Sequence, residues 1–191
     1  MFRLDVPYYS QHQDVTEPSW QKRSCGIVCT KMVLNYLKPD NKELIDDLIE
    51  EGVIVGGYNS DHGWNHESIV RLLRNRGIPS YQEEFRSVLV DSLQRRFLKS
   101  THENPMISGG LNKIHKSIMD KNPVIVSVEP NFDENKTSHL IVLTGFSEDK
   151  YGLDGFFYND PDSREGIKKD KFIELSKFKD YWRNMAIFIS E

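Results

Sequence analysis

Four side chains in this sequence carry the chemistry of a covalent catalyst: Cys25, Cys29, His139 and Asp160. Small or apolar residues recur at Cys25, Val28, Cys29, Met32, Val33 and Tyr36, and this spacing of three and four puts them on one face of a helix. Ser24 stands where an N-cap would, which places Cys25 in the first turn. There, unpaired backbone N–H groups and the positive end of the helix dipole favour thiolate over thiol. A disulfide to Cys29 across one helical turn would strain the helix, and a zinc site would need two more suitable ligands. Cys29, one turn deeper, reads as a small core residue.

A nucleophilic cysteine needs a base, and the base needs a group to orient it. His139 opens the β-branched run His139-Leu140-Ile141-Val142-Leu143-Thr144, after a turn-rich linker. Asp160 closes the run Gly155-Phe156-Phe157-Tyr158-Asn159-Asp160, beside Pro161. If these runs are neighbouring antiparallel strands joined by one hairpin, the start of the first adjoins the end of the second, and the two side chains are close by construction. A strand-end histidine bonded to backbone and an Asp-Pro turn without a partner fit the same residues, and spacing leaves both readings open.

The elements that must hold these groups change character along the chain. Leu4 to Tyr9 reads as an edge strand or extended arm, limited by Pro7, and residues 10–23 as a polar loop. After the cysteine helix, Asn41 to Glu43 start a second helix with the stripe Leu44, Ile45, Leu48, Ile49, closed by Gly52. A Gly-rich crossover leads to a third helix on Ile69, Val70 and Leu73, ended by Gly77 and Pro79. Segments 86–98 (Leu89, Leu93, Phe97) and 111–120 (Leu111, Ile114, Ile118) fit amphipathic helices. Strands begin at Val124–Val128 and continue through the two runs above. The tail adds a short helix from Asp170 to Lys177 and a last strand, Met185–Ile189. Helices first and strands after them give an α+β layout.

With 191 residues, 38% apolar and 28% charged, residues 1–191 suffice for a single domain with a substantial core. No apolar stretch is long enough to span a bilayer. A net charge of −4, with basic residues scattered along the chain, gives no pull toward nucleic acid. The start lacks a basic, apolar signal, so a cytoplasmic protein is expected. The cysteine count of two suits a reducing compartment. His62 and His66, separated by Gly63, read as a solvated turn, and His12, His102 and His115 as surface residues. No metal or other cofactor is therefore expected. Trp20 and Trp64 lie in loops, as cleft linings or buried anchors.

The order Val6-Pro7-Tyr8-Tyr9-Ser10-Gln11, Cys25-Gly26 opening a helix, Pro123-Val124-Ile125-Val126, His139 to Phe146, and Tyr158-Asn159-Asp160-Pro161 resembles the papain-fold cysteine peptidases related to bacteriocin-leader-processing peptidases. The resemblance covers nearly the whole chain. It implies a helical half bearing the nucleophile, an antiparallel sheet half bearing the base, and a site in the cleft between them. It implies Cys25 as nucleophile, His139 as general base and acid, Asp160 as orienting carboxylate, and Gln11 as side-chain oxyanion donor. The loop to Cys25 is longer than in the leader-processing members, and Ser24 stands where they carry an acidic residue. Gln13 and Gln21 remain alternatives to Gln11, and Asn159 to Asp160. The implied activity is hydrolysis of a peptide or other amide bond. An acyltransferase using the same thioester and a non-catalytic peptide-binding module are the alternatives.

Overall fold

The computed structural model describes residues 1–85, 105–133, 138–162 and 169–190. Helix α1 (Cys25–Leu37) is buried from Gly26 to Leu34 on every side, not along one stripe. Its surroundings explain this: it packs against strand β6 (His139–Asp149) and also against helices α2 (Ile45–Ile54) and α3 (His66–Asn75). A helix enclosed by sheet and helices must be apolar all round. Its polar exceptions are satisfied locally, with Thr30 Oγ1 donating to the Gly26 carbonyl at 2.8 Å and Lys31 Nζ to Asn41 Oδ1 at 3.1 Å.

Close approach between α1 and its neighbours depends on Gly26. A Cβ there would lie 2.8 Å from Ile69 Cδ1 and 3.1 Å from Leu140 Cδ1. In α2, Gly52 is not the terminator expected. The helix runs on to Ile54, and Gly52 instead makes room for the indole of Trp64, whose Cζ3 would be 2.5 Å from a Cβ. Leu44 also leaves the expected stripe. It stands at the N-cap position, 62% exposed, and its backbone N–H donates to Asp47 Oδ2 at 3.2 Å. In α3, Asn65 is the N-cap, accepting from Ser68 N at 2.7 Å.

The described strands form an antiparallel sheet in the order β4-β9-β5-β6-β7-β8, with β1 (Phe2–Arg3) paired on β6. Here β4 is Ser80–Glu84, β5 Val124–Val128, β7 Gly152–Asn159, β8 Lys171–Glu174 and β9 Trp182–Ile189. A small hairpin of β2 (Tyr58–Asn59) and β3 (Gly63–Trp64) lies apart from it. Helix α4 (Pro105–Met119) packs on β5, β6 and β9, burying Leu111, Ile114 and Ile118. The layout is α+β, as expected.

Several expectations need correction. Ser80 to Glu84 forms an edge strand paired with β9, where no strand was expected. Its sequence, Ser-Tyr-Gln-Glu-Glu, is too polar to announce a strand, and the pairing comes from the partner. Lys171–Glu174 is a strand against β7 and not the start of a helix. Helix α5 (Leu175–Tyr181) follows it, because pairing of Phe172 and Ile173 with Phe157 and Phe156 overrides local propensity. Only Phe2 and Arg3 of the amino-terminal arm pair as strand. The expected helix at 86–98 and His102 lie outside the described residues. Among the described residues, no helix is long and apolar enough to cross a membrane.

Replacing Gly26 by Val should lower stability by about 1–3 kcal/mol, the usual cost of overpacking a filled interior. A urea midpoint unchanged from the native protein would show that α1 does not sit as tightly on Leu140 and Ile69 as the geometry requires.

Candidate active site

Strand register brings the candidate residues together. In the β6–β7 pair, Val142 faces Asn159, so His139 at the start of β6 and Asp160 just past β7 lie at the same end of the sheet. The β6 start also faces α1, with Cys29 Sγ donating to the Leu140 carbonyl at 3.2 Å. Cys25, one turn earlier, therefore lies beside His139.

His139 Nε2 is 2.7 Å from Asp160 Oδ1, and both residues are buried. An ionised carboxylate only accepts, so Nε2 carries the proton and Nδ1 remains for Cys25. The Cys25 side chain is hydrogen-bonded to His139. Burial pushes the thiol pKa up, but the hydrogen bond and charge of His139, with backbone N–H groups of Leu140 and Gly26, outweigh it and hold the thiol below its ordinary value. Burial likewise opposes the imidazolium. Hydrogen bonds to Asp160 and Cys25 and the charges of both reverse that effect, and the pKa of His139 rises to about 10. The two shifts run in opposite directions, and both favour moving the proton from the Cys25 sulfur to the His139 ring. Cys29 shows the contrast: burial first, then the charges of Cys25 and Asp160, push its thiol well up and keep it protonated.

Ser24 holds the N-cap position as expected, but its hydroxyl makes no capping bond. It is buried and its Oγ has no hydrogen-bond partner among the described residues, while the Gly26 N–H at the helix start serves the Cys25 sulfur. The Cys25 sulfur thus accepts an N–H that a capping oxygen could otherwise take.

Asn159 and Asp160 face opposite ways, as adjacent residues in extended chain must. Asn159 Nδ2 donates to the Val6 carbonyl at 3.3 Å and its Oδ1 accepts from Asp170 N at 3.0 Å, so it stitches three segments and does not meet His139. Gln11 is buried, its N–H donates to the Pro161 carbonyl at 2.9 Å, and its Nε2 is 3.4 Å from Asp162 Oδ1. Gln21 is committed elsewhere, donating to the Val15 carbonyl at 3.0 Å, and Gln13 is exposed.

His12 is not the surface residue expected. Its Nε2 is 2.6 Å from Asp162 Oδ1, and Asp162 N donates to Asp160 Oδ1 at 3.0 Å. This chain links the amino-terminal arm to the buried carboxylate, and no local sequence signal marks His12 or Asp162 for it. His115 is also partly buried, its ring edge on Phe146. Trp64 is a buried anchor, Nε1 donating to the Arg23 carbonyl at 2.7 Å, in an aromatic cluster with Trp20 and Tyr58. A cavity of about 360 Å³ opens beside Cys25, bounded by Tyr58, Trp64 and Leu140. His62 and His66 also line it, and the described residues contain no cluster able to hold a metal ion.

The model of the Peptidase_C39-like family matches residues 3–187. The chain belongs to that family. It is a papain-like cysteine peptidase. A protein described as a C39-like peptidase from Bacillus anthracis shares the fold with a TM-score of 0.62 at 14% identity, over 98% of this chain and 95% of that one. A double-glycine-motif protease from an AMS/PCAT transporter, solved with the leader peptide, gives 0.54 at 20% identity, over 99% and 94%. The peptidase domain of Streptococcus ComA, a bifunctional ABC transporter, gives 0.52 at 17%, over 88% and 92%. No curated protein matches the sequence.

The lowered thiol and raised imidazole values set a pH dependence. Alkylation of Cys25 by iodoacetamide should reach half its plateau rate below the ordinary thiol value of about 8.5. In His139→Ala, which removes the stabilising charge, that midpoint should move up toward the free-thiol value. A native midpoint already at the free-thiol value, or alkylation confined to Cys29, would contradict the lowering of the Cys25 thiol by His139.

Proposed function

We propose that this peptidase hydrolyses a peptide bond through a thioester on Cys25, with His139 as general base and acid and Asp160 as the carboxylate that orients it. The observation that carries this reading is the continuous hydrogen-bonded array from Cys25 through His139 to Asp160, with 2.7 Å between the last two. A peptide substrate is supported by the similar protease solved with a leader peptide.

In the proposed reaction the Cys25 sulfur attacks the carbonyl carbon, and the carbonyl oxygen gains the negative charge. Donors for that oxygen are the Cys25 backbone N–H, in a first turn that lacks intrahelical acceptors, and the Gln11 amide. Gln11 is favoured over Gln13 and Gln21 because its backbone is tied to Pro161, next to Asp160, and its side chain makes only a long 3.4 Å contact to Asp162 Oδ1, while Gln13 is exposed and Gln21 is bonded to the Val15 carbonyl at 3.0 Å. His139 gives its proton to the amine nitrogen, the C–N bond breaks and the amine leaves. Water then attacks the thioester and passes a proton to His139, the C–S bond breaks, and the carboxylic acid product departs. Asp160 stays ionised throughout, holding the tautomer with the proton on Nε2.

Cys25→Ala should abolish peptide cleavage, and Gln11→Ala should lower kcat by about a hundredfold or more with a smaller change in KM, the pattern of a lost oxyanion donor. Cleavage surviving in Cys25→Ala would overturn the proposal. Loss in Gln11→Ala confined to KM would remove Gln11 from the oxyanion role while leaving the triad in place.

A further inference from the structure

The cavity beside Cys25 carries a charge that the rest of the chain does not share. Its lining includes Lys22, Arg23 and Arg183 against one carboxylate, Asp61, a formal charge of three minus one, or +2 with the histidines and Cys25 counted neutral. The whole chain carries −4. Asp61 is engaged in the β2–β3 turn, its N–H on Asn59 Oδ1 at 2.8 Å. Lys22 and Arg23 are exposed, and neither is ion-paired to a carboxylate among the described residues.

The backbone that presents them is fixed. The Arg23 N–H donates to the Trp20 carbonyl at 2.9 Å, and the Arg23 carbonyl accepts the Trp64 indole at 2.7 Å. Arg23 is two residues from Cys25, so their Cα atoms are at most about 7.6 Å apart, two virtual bonds of 3.8 Å. An extended substrate advances about 3.3–3.6 Å per residue, and Arg23 and Cys25 line the same cavity, so a peptide seated at the thiol passes the Lys22–Arg23 segment close to the bond that reacts. The cavity volume of about 360 Å³ falls in the range of ligand-sized pockets.

We infer that this cavity selects peptides bearing a carboxylate beside the scissile bond, and that Lys22 and Arg23 read it. The inference rests on the peptidase reading above for what happens to the peptide. The carboxylate has two possible sources, an Asp or Glu side chain or a free peptide C-terminus, and both present the same group to the cations.

The test uses two mixed peptide libraries, one with free and one with amidated C-termini, passed over immobilised full-length Cys25→Ala protein, with retained peptides sequenced by mass spectrometry. Enrichment of Asp and Glu over Gln and Asn by about tenfold, lost in Cys25→Ala/Lys22→Gln/Arg23→Gln and weakened in high salt, is the expected result. Retention of the free-carboxyl library over the amidated one by a similar factor, whatever the side chains and lost in the same triple variant, assigns the site to a C-terminus. Equal retention of both libraries without acidic preference, no retention at all, or a preference that survives the Lys22 and Arg23 changes overturns the inference. Incubating the retained peptides with native protein separates the two ideas. Acidic preference without cleavage defeats the peptidase proposal and leaves the cationic cavity, whereas cleavage without preference does the reverse.

Discussion

An imidazole held between a buried carboxylate and a half-buried thiol is the interaction on which this structure turns. Burying charge is costly unless each partner is paired and its remaining valences are filled. His139 has Asp160 on Nε2 and Cys25 for its other nitrogen. The sulfur gains the N–H groups of Leu140 and Gly26, and Asp160 gains the N–H of Asp162. Backbone donors thus complete both ends of the array. They cost no side-chain entropy to hold, and hydrogen bonds to a sulfur or carboxylate favour its charged form.

That array joins two halves of the fold that have no reason to meet locally. The thiol belongs to a helix and the imidazole to a strand, so their separation is set by how closely α1 lies on β6. Gly26 permits the approach, and Cys29 adds a bond from the helix to the Leu140 carbonyl. Cys29 thereby has a structural task although burial and neighbouring negative charge keep it protonated. Trp64 fixes the other side of the helix start through the Arg23 carbonyl. The same bond orients the segment that lines the cavity beside the thiol.

The amino-terminal arm supplies the remaining support. Leu4 N–H donates to the Thr144 carbonyl, Tyr8 Oη to the Asp160 carbonyl and Gln11 N–H to the Pro161 carbonyl. Asn159 closes the seam from the sheet by donating to the Val6 carbonyl. These bonds run between segments about one hundred and fifty residues apart. They carry Gln11 and His12 to the edge of the buried carboxylate, where Asp162 receives both side chains.

The sequence by itself determined much of this architecture. Periodicity located the cysteine helix and the buried strands, because a helix face and a strand face repeat at fixed intervals whatever packs on them. A cysteine at a helix start, a histidine opening one strand and an aspartate ending the next were legible for the same reason. Tertiary structure alone decided the rest. The polar edge strand Ser80–Glu84 and the strand Lys171–Glu174 exist because partners across the sheet supply their hydrogen bonds. Whether Asn159 or Asp160 meets His139 depended on which face of the strand end turns toward the helix. The parts of Ser24, Gly52, His12 and Asp162 depended on contacts with distant segments. Propensity and spacing report only what a residue does to its neighbours along the chain; pairing of distant groups is set by how the layers close.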